Sequence, residues 1–178
     1  FGKLGVDGSL LKPGDYAKFE INRGSIFCIC TKTDFIKALD SIANEVKPDA
    51  VIIEATGIAE TSDIESFIED SPYADVFGIR ANICLVDAEN FTKVAPFMKA
   101  ARGQVKWASG IVINKTDLVQ DGDVKKLKAV LADINLDAPM VATNYGKIGY
   151  DFVSSLKHVR AKDRAANKPP KDIIAVSF

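Results

Sequence analysis

Short apolar, β-branched runs alternate along this chain with segments whose apolar residues recur every three to four positions. That alternation restricts the fold more than any other feature. AVIIEA (50–55), NICLVDA (82–88), GIVINK (110–115), PMVAT (139–143) and IIAVSF (173–178) read as strands. The first four are too uniformly apolar to keep one wet face, which is how strands covered on both sides of a parallel sheet look. Between them, TDFIKALDSIANEVK carries Phe35, Leu39, Ile42 and Val46 at helical spacing, with Thr33 as cap and Pro48 as stop. DVKKLKAVLADI spaces Val124, Leu127, Val130, Leu131 and Ile134 in the same way, and YDFVSSLKHVRAKDRAA offers Phe152, Val153, Leu156 and Val159. Residues 62–69 read as a short helix before a Pro72 loop, and 90–102 as another that begins before Pro96 or is kinked by it. The alternation predicts a doubly wound α/β domain, mainly parallel, with helices on both faces and ligands beyond the carboxyl ends of the strands.

Upstream of Thr31 the pattern changes: DYAKFEINRGSIFCIC suggests two extended pieces about Arg23-Gly24, a hairpin at the sheet edge. Near the other end ANKPPKD is a polar, proline-containing linker, so IIAVSF reads as the start of another unit. A chain of 178 residues suits one domain that buries a core without staples. Its 23 basic and 24 acidic residues leave a net charge of −1 with no basic concentration, so nucleic acid is not the expected partner. No apolar run approaches the ~20 residues of a membrane span, and FGKLGVDGSL lacks the regions of a signal peptide. A cytoplasmic protein without membrane partners is the expectation. Three cysteines, with Cys28 and Cys30 one residue apart, suit a reducing compartment and no disulfide.

The run SGIVINKTDLV ends in Asn114-Lys115-Thr116-Asp117, an amide, an ammonium and a carboxylate delivered to one strand tip. A carboxylate there can accept both the ring N–H and the exocyclic amine of guanine, a charge-assisted two-point bond. Adenine offers an acceptor where guanine offers the ring donor, so the same carboxylate would face a lone pair. Asn114 can bond the base's other edge or tie neighbouring loops, and the Lys115 stem can lie along the base. In VATNYGK the backbone of Ala142, Thr143 and Asn144 is placed either to close over the base's other side or to form an ordinary strand-to-helix loop. AVIIEATGIAE puts Glu54 at a strand end and Gly57 three residues on. Such an acid suits the outer shell of Mg²⁺, and such a glycine lets a backbone N–H approach a terminal phosphate whose hydrolysis releases the loop.

FGKLGVDGSLL, NRGSIFCIC, IIEATGIAE, CLVDAENF, INKTDLV and YGKIG, in this order and at these spacings, resemble the CobW-type GTPases, relatives of the hydrogenase- and urease-maturation (HypB and UreG) GTPases. The resemblance covers nearly the whole chain. It implies a P-loop NTPase-like domain that binds GTP with Mg²⁺ and hydrolyses it, in proteins that are mostly metallochaperones or insertion factors for zinc, cobalt or nickel, some serving cobalamin biosynthesis. The counterparts of Glu54 and Gly57 form the Walker B and switch region, and those of Asn114, Lys115 and Asp117 read guanine. Implied partners are the nucleotide, a client metalloprotein or metal-cofactor enzyme, and a second copy of the chain. The competing expectation is a non-catalytic scaffold with this fold that handles no metal.

Two departures stand out. No G-x-x-x-x-G-K-[ST] occurs, since Gly2-Lys3 and Gly146-Lys147 lack the preceding glycine and the following hydroxyl. The family carries that loop upstream of the segment resembling Phe1-Gly2. The expectation is therefore a fragment without its first strand and phosphate cradle, inactive by itself, with 1–166 as a partial GTPase domain and 167–178 as linker and first strand of a truncated C-terminal domain. The family's Cys-x-Cys-Cys is also altered. Anchored on Gly24 it gives Ser25, Phe27 and Cys28; anchored on Cys28 it gives Cys28, Cys30 and Thr31. On an extended segment Cys28 and Cys30 share a side, either as two ligands of one soft ion or as packed thiols, and two thiolates do not complete a tetrahedral site. Asp7 matches an acidic switch position of the family that approaches Mg²⁺, or is a turn residue before Gly8; Asp87 is equally open. Cys84, Trp107, Phe91 and Phe97 read as packing groups and His158 as surface.

Overall fold

An apolar run becomes a strand only where a neighbour takes up its backbone hydrogen bonds, and the pairing settles which of the candidate strands form. The computed structural model describes residues 29–55 and 61–158. The chain divides into two compact units, Phe1–Ile79 and Arg80–Phe178.

In the first unit helix α1 (Ile29–Ser41) runs on through a wider π turn (Ile42–Val46). It stops where Lys47 turns left-handed, φ 48°, and donates its N–H to the Ile42 carbonyl at 2.8 Å; Pro48 has no N–H with which to resume the ladder. Helix α2 (Thr61–Glu69) packs against α1, with the Phe35 and Phe67 rings 6.3 Å apart and Leu39, Ile42 and Ile68 buried. The predicted cap at Thr33 is incorrect, because the helix begins at Ile29 and Thr33 lies inside it. Its first turn sets the Lys32 ammonium 5.1 Å from the Phe67 ring centre and 3.8 Å from the Asp70 carboxylate.

Residues 50–55 are not the expected buried strand. They pair with no strand among the described residues, and Ile52 is 96 % exposed. Asp7, Cys28, Gly57, the predicted hairpin about Arg23-Gly24, the boundary at 166 and IIAVSF lie outside the described residues.

In the second unit three parallel strands, β1 (Ile83–Asp87), β2 (Gly110–Asn114) and β3 (Met140–Ala142), lie in the order β1-β2-β3. Helices α3 (Phe91–Val94) and α4 (Lys99–Lys106), split around Pro96, join β1 to β2. Helix α5 (Asp121–Ile134) joins β2 to β3, and α6 (Tyr150–Ser155) follows. Helical crossovers between parallel neighbours give the mixed α/β architecture the alternation predicts. On one face Cys84, Val86, Ile111 and Ile113 pack with Val105 of α4, Leu127 and Leu131 of α5, and Phe91. On the other, Leu156 lies over Gly110 so closely that a Cβ there would stand 2.6 Å from Leu156 Cδ2.

β2 is thus covered on both sides, and every residue from Gly110 to Ile113 is buried. β1 is not: Leu85, on the face away from the core, is 66 % exposed, so its uniform apolarity overstated its burial. The packing expected of Phe97 is also absent. It is 87 % exposed while Phe91 is buried. Helix α6 ends sooner than its apolar spacing suggests, with Leu156 already extended. Ser154 and Ser155 donate their hydroxyls to the carbonyls of Asp151 and Phe152, at 3.2 and 2.8 Å, a local bonding that competes with helix continuation. Among the described residues no helix is long and apolar enough to cross a membrane.

Candidate functional site

The parallel register brings three strand ends to one edge, with Asp87 opposite Asn114 and Ile113 opposite Ala142. Beyond β2 the chain must turn at once if its polar residues are to stay at this edge. It does so by placing Lys115 in the left-handed region, φ 61°, at a cost of about 1–2 kcal/mol for an L side chain, and then forming a 3₁₀ turn over Thr116–Leu118. An ion pair fixes the strained residue: Lys115 Nζ lies 2.8 Å from Asp87 Oδ2.

Asp87 in turn accepts the N–H groups of Glu89 and Asn90, both at 3.0 Å on Oδ1, and the Asn90 amide at 3.2 Å on Oδ2. The Lys115 hydrogen bond is the main cause that holds the Asp87 carboxyl down at about 2; desolvation opposes it, and the donors from Asn90 and Glu89 add to it. Lys115 is correspondingly shifted up by its bond to Asp87. With its ammonium tethered, Lys115 has its aliphatic stem left to offer a ligand.

Two asparagines then clasp the β2 and β3 loops to each other. Asn114 Oδ1 accepts the Gly146 N–H at 3.0 Å, so the loop-tying role is realised. Asn144 Oδ1 accepts the Asp117 N–H at 3.0 Å and also the Thr116 hydroxyl. Between these two anchors Tyr145 and Gly146 both sit at positive φ, 55° and 65°, and the Tyr145 side chain is exposed. The backbone adds a Thr143 N–H to Ile113 O bond at 2.8 Å and a Thr116 N–H to Thr143 O bond at 3.3 Å.

Among the described residues Asp117 makes its hydrogen bonds through its backbone. Its side chain is exposed, and no group among the described residues engages the carboxylate. The Asn114 amide N–H pair is likewise without a protein partner among them. A carboxylate with both oxygens open, on a turn held at both ends, can accept two parallel donors from a planar ligand.

Ala142 is exposed at the end of β3, whereas the Thr143 side chain is buried and donates to the Lys147 carbonyl, and the Thr143 backbone N–H and carbonyl are already engaged by Ile113 and Thr116. Glu54 is exposed in an irregular stretch rather than at a strand tip. Cys30 lies within α1, and Cys28 is outside the described residues. Among the described residues no three His, Cys, Asp or Glu are grouped to hold a metal ion. Cys84 is a core thiol pushed up to about 11 by burial.

The roles of two side chains are set by the fold rather than by local sequence. Asp87 was an open strand-end carboxylate, and its partner 28 residues away is set by strand register. The Asn144 side chain joins the site through a partner 27 residues away, and an asparagine before a Tyr-Gly turn is its only local signal.

The family model described as CobW/HypB/UreG, nucleotide-binding domain, matches residues 1–142. The chain is 26% identical over 179 residues to zinc chaperone YjiA of Escherichia coli (strain K12), covering 96% of this chain and 55% of that protein. It is 29% identical over 165 residues to zinc chaperone CobW of Sinorhizobium sp, covering 76% and 45%. It is 26% identical over 125 residues to zinc-regulated GTPase metalloprotein activator 1 of Schizosaccharomyces pombe (strain 972 / ATCC 24843), covering 68% and 30%. The chain thus spans about half or less of the length of the curated relatives it matches. No solved structure matches it.

Proposed function

The chain belongs to the CobW/HypB/UreG nucleotide-binding domain family, with a parallel sheet and flanking helices of the P-loop NTPase-like kind, and on that premise we propose that it is the guanine-nucleotide domain of a GTP-hydrolysing metallochaperone. The observation that carries this reading is the open Asp117 carboxylate on a turn braced by Lys115–Asp87 and by Asn144. Asp117 takes the ring N–H and exocyclic amine of guanine, the unpartnered Asn114 amide donates to the base's other edge, and the Lys115 stem lies along its face. On the opposite side Ala142 offers backbone to the base, and Thr143 anchors that backbone through its N–H bond to the Ile113 carbonyl.

Nucleotide-bound Mg²⁺ needs only one or two protein carboxylates besides the phosphates. Glu54 is the proposed one, with Gly57 as the backbone that senses the terminal phosphate. The described residues group no three His, Cys, Asp or Glu about a cation, so the nucleotide's phosphates would supply the remaining oxygens. Relatives named as zinc chaperones support Zn²⁺ as the cargo, ahead of cobalt or nickel, for delivery to a client metalloprotein. Cys28 and Cys30 supply the thiolates of that proposal, and Asp7 is the proposed second carboxylate near Mg²⁺.

The test is a change of base preference in the full-length protein. Xanthine presents a carbonyl where guanine presents its exocyclic amine, so Asp117→Asn, which offers one acceptor and one donor, should weaken GTP and strengthen xanthosine triphosphate. A variant that keeps its preference for GTP would contradict the assignment.

A further inference from the structure

We infer that Asn144 is a specificity-determining positioning residue, which selects guanine over adenine by holding the backbone of Asp117 rather than by touching the base. The inference rests on the reading of Asp117 given above.

The geometry fixes the Asn144 amide orientation without ambiguity. Asp117 N–H is a donor, so the atom 3.0 Å from it must be the side-chain oxygen; a flipped amide would set two donors against each other. The Thr116 hydroxyl has one proton and two acceptors within reach, Asn144 Oδ1 and, at 3.2 Å, the Thr143 carbonyl. The shorter contact is to Asn144, so its oxygen receives donors from two successive residues of the 3₁₀ turn.

That turn follows a left-handed, strained Lys115 and has no interior packing, since none of its residues is buried. Its restraints are the Lys115–Asp87 pair at the start, the Thr116 N–H to Thr143 O bond, the turn's own Leu118 N–H to Lys115 O bond at 3.1 Å, and the Asn144 oxygen at the centre. Only the last acts on Asp117 itself. Two-point acceptance demands that both carboxylate oxygens lie in the plane of the base, and a turn released at Asp117 loses that alignment. Adenine cannot use the two-point bond and has nothing to lose.

The experiment compares GDP and ADP affinity in the full-length protein for wild type, Asn144→Ala, Asn144→Asp and Asp117→Asn, with amide exchange read at residue 117. Asn144→Ala should weaken GDP about tenfold, the scale of one hydrogen bond to a recognition element, and leave ADP unchanged. The Asp117 amide should exchange faster in that variant. Asn144→Asp keeps an acceptor in place and should restore slow exchange and most of the guanine preference. A parallel fall in both affinities, or an unchanged ratio with the Asp117 amide freed, would overturn the positioning role. If Asp117→Asn leaves the guanine preference intact, the underlying guanine reading fails instead.

Discussion

Replacing Gly110 with alanine tests whether the segment after α6 covers the second face of β2. The added Cβ would lie 2.6 and 2.8 Å from the two Leu156 methyl carbons and 3.3 Å from Cγ. Ordinary carbon contacts begin near ~3.5 Å. Turning the Leu156 methyls aside does not clear Cγ, and Leu156 is 1 % exposed, so it has little room to retreat. Overpacking of this kind costs about 1–3 kcal/mol, offset by about 0.5–1 kcal/mol because alanine is less costly than glycine to order in a strand. The net expectation is a destabilisation of about 0.5–2 kcal/mol in urea unfolding.

The sharper assay is a double-mutant cycle. Leu156→Ala alone should cost about 2–5 kcal/mol by leaving a cavity. In that background the alanine at 110 fills part of the space, so Gly110→Ala should become neutral or stabilising, with a coupling of about 1–3 kcal/mol. Additive effects would refute the packing of Leu156 on Gly110.

Two further expectations concern titration. The Asp87 carboxyl lies at about 2 in the folded chain against an ordinary 3.8, so its pairing stabilises the fold fully above that ordinary value and loses its contribution as pH falls toward 2. Because its Lys115 partner is 53% exposed, the contribution is only about 1 kcal/mol after screening. The stability difference between wild type and Asp87→Asn should be flat from about pH 5 to 8 and shrink below about pH 4; a difference that grows in acid contradicts the pair. Cys84, pushed up to about 11 by burial, should resist alkylation at about pH 8 until the protein is denatured, as peptide mapping would show. Rapid labelling of the native protein would place it outside the core.

Much of the second unit is legible in the sequence because its signals are local. GIVIN is apolar on both faces and is buried on both, and DVKKLKAVLADI buries Leu127 and Leu131 as its spacing requires. NICLV looks the same on paper yet exposes Leu85, because composition states what a strand tolerates and neighbours decide what it receives. AVIIEA shows the limit most plainly. Its β-branched residues favour a strand, but a strand is made by its partner, and none pairs with it among the described residues.

The candidate site divides in the same way. Asn114, Lys115 and Asp117 are visible as a motif, while the Asp87–Lys115 and Asn144–Asp117 contacts span 28 and 27 residues and depend on strand register. Sequence could name the carboxylate, but not the groups that hold it still.

The central claim is that Asp117 distinguishes purines, and competition between GDP and ADP for the full-length protein addresses it most directly. Guanine should bind at least about 100-fold more tightly, because adenine leaves the carboxylate facing a lone pair. Equal affinity for the two nucleotides would contradict the account at its base.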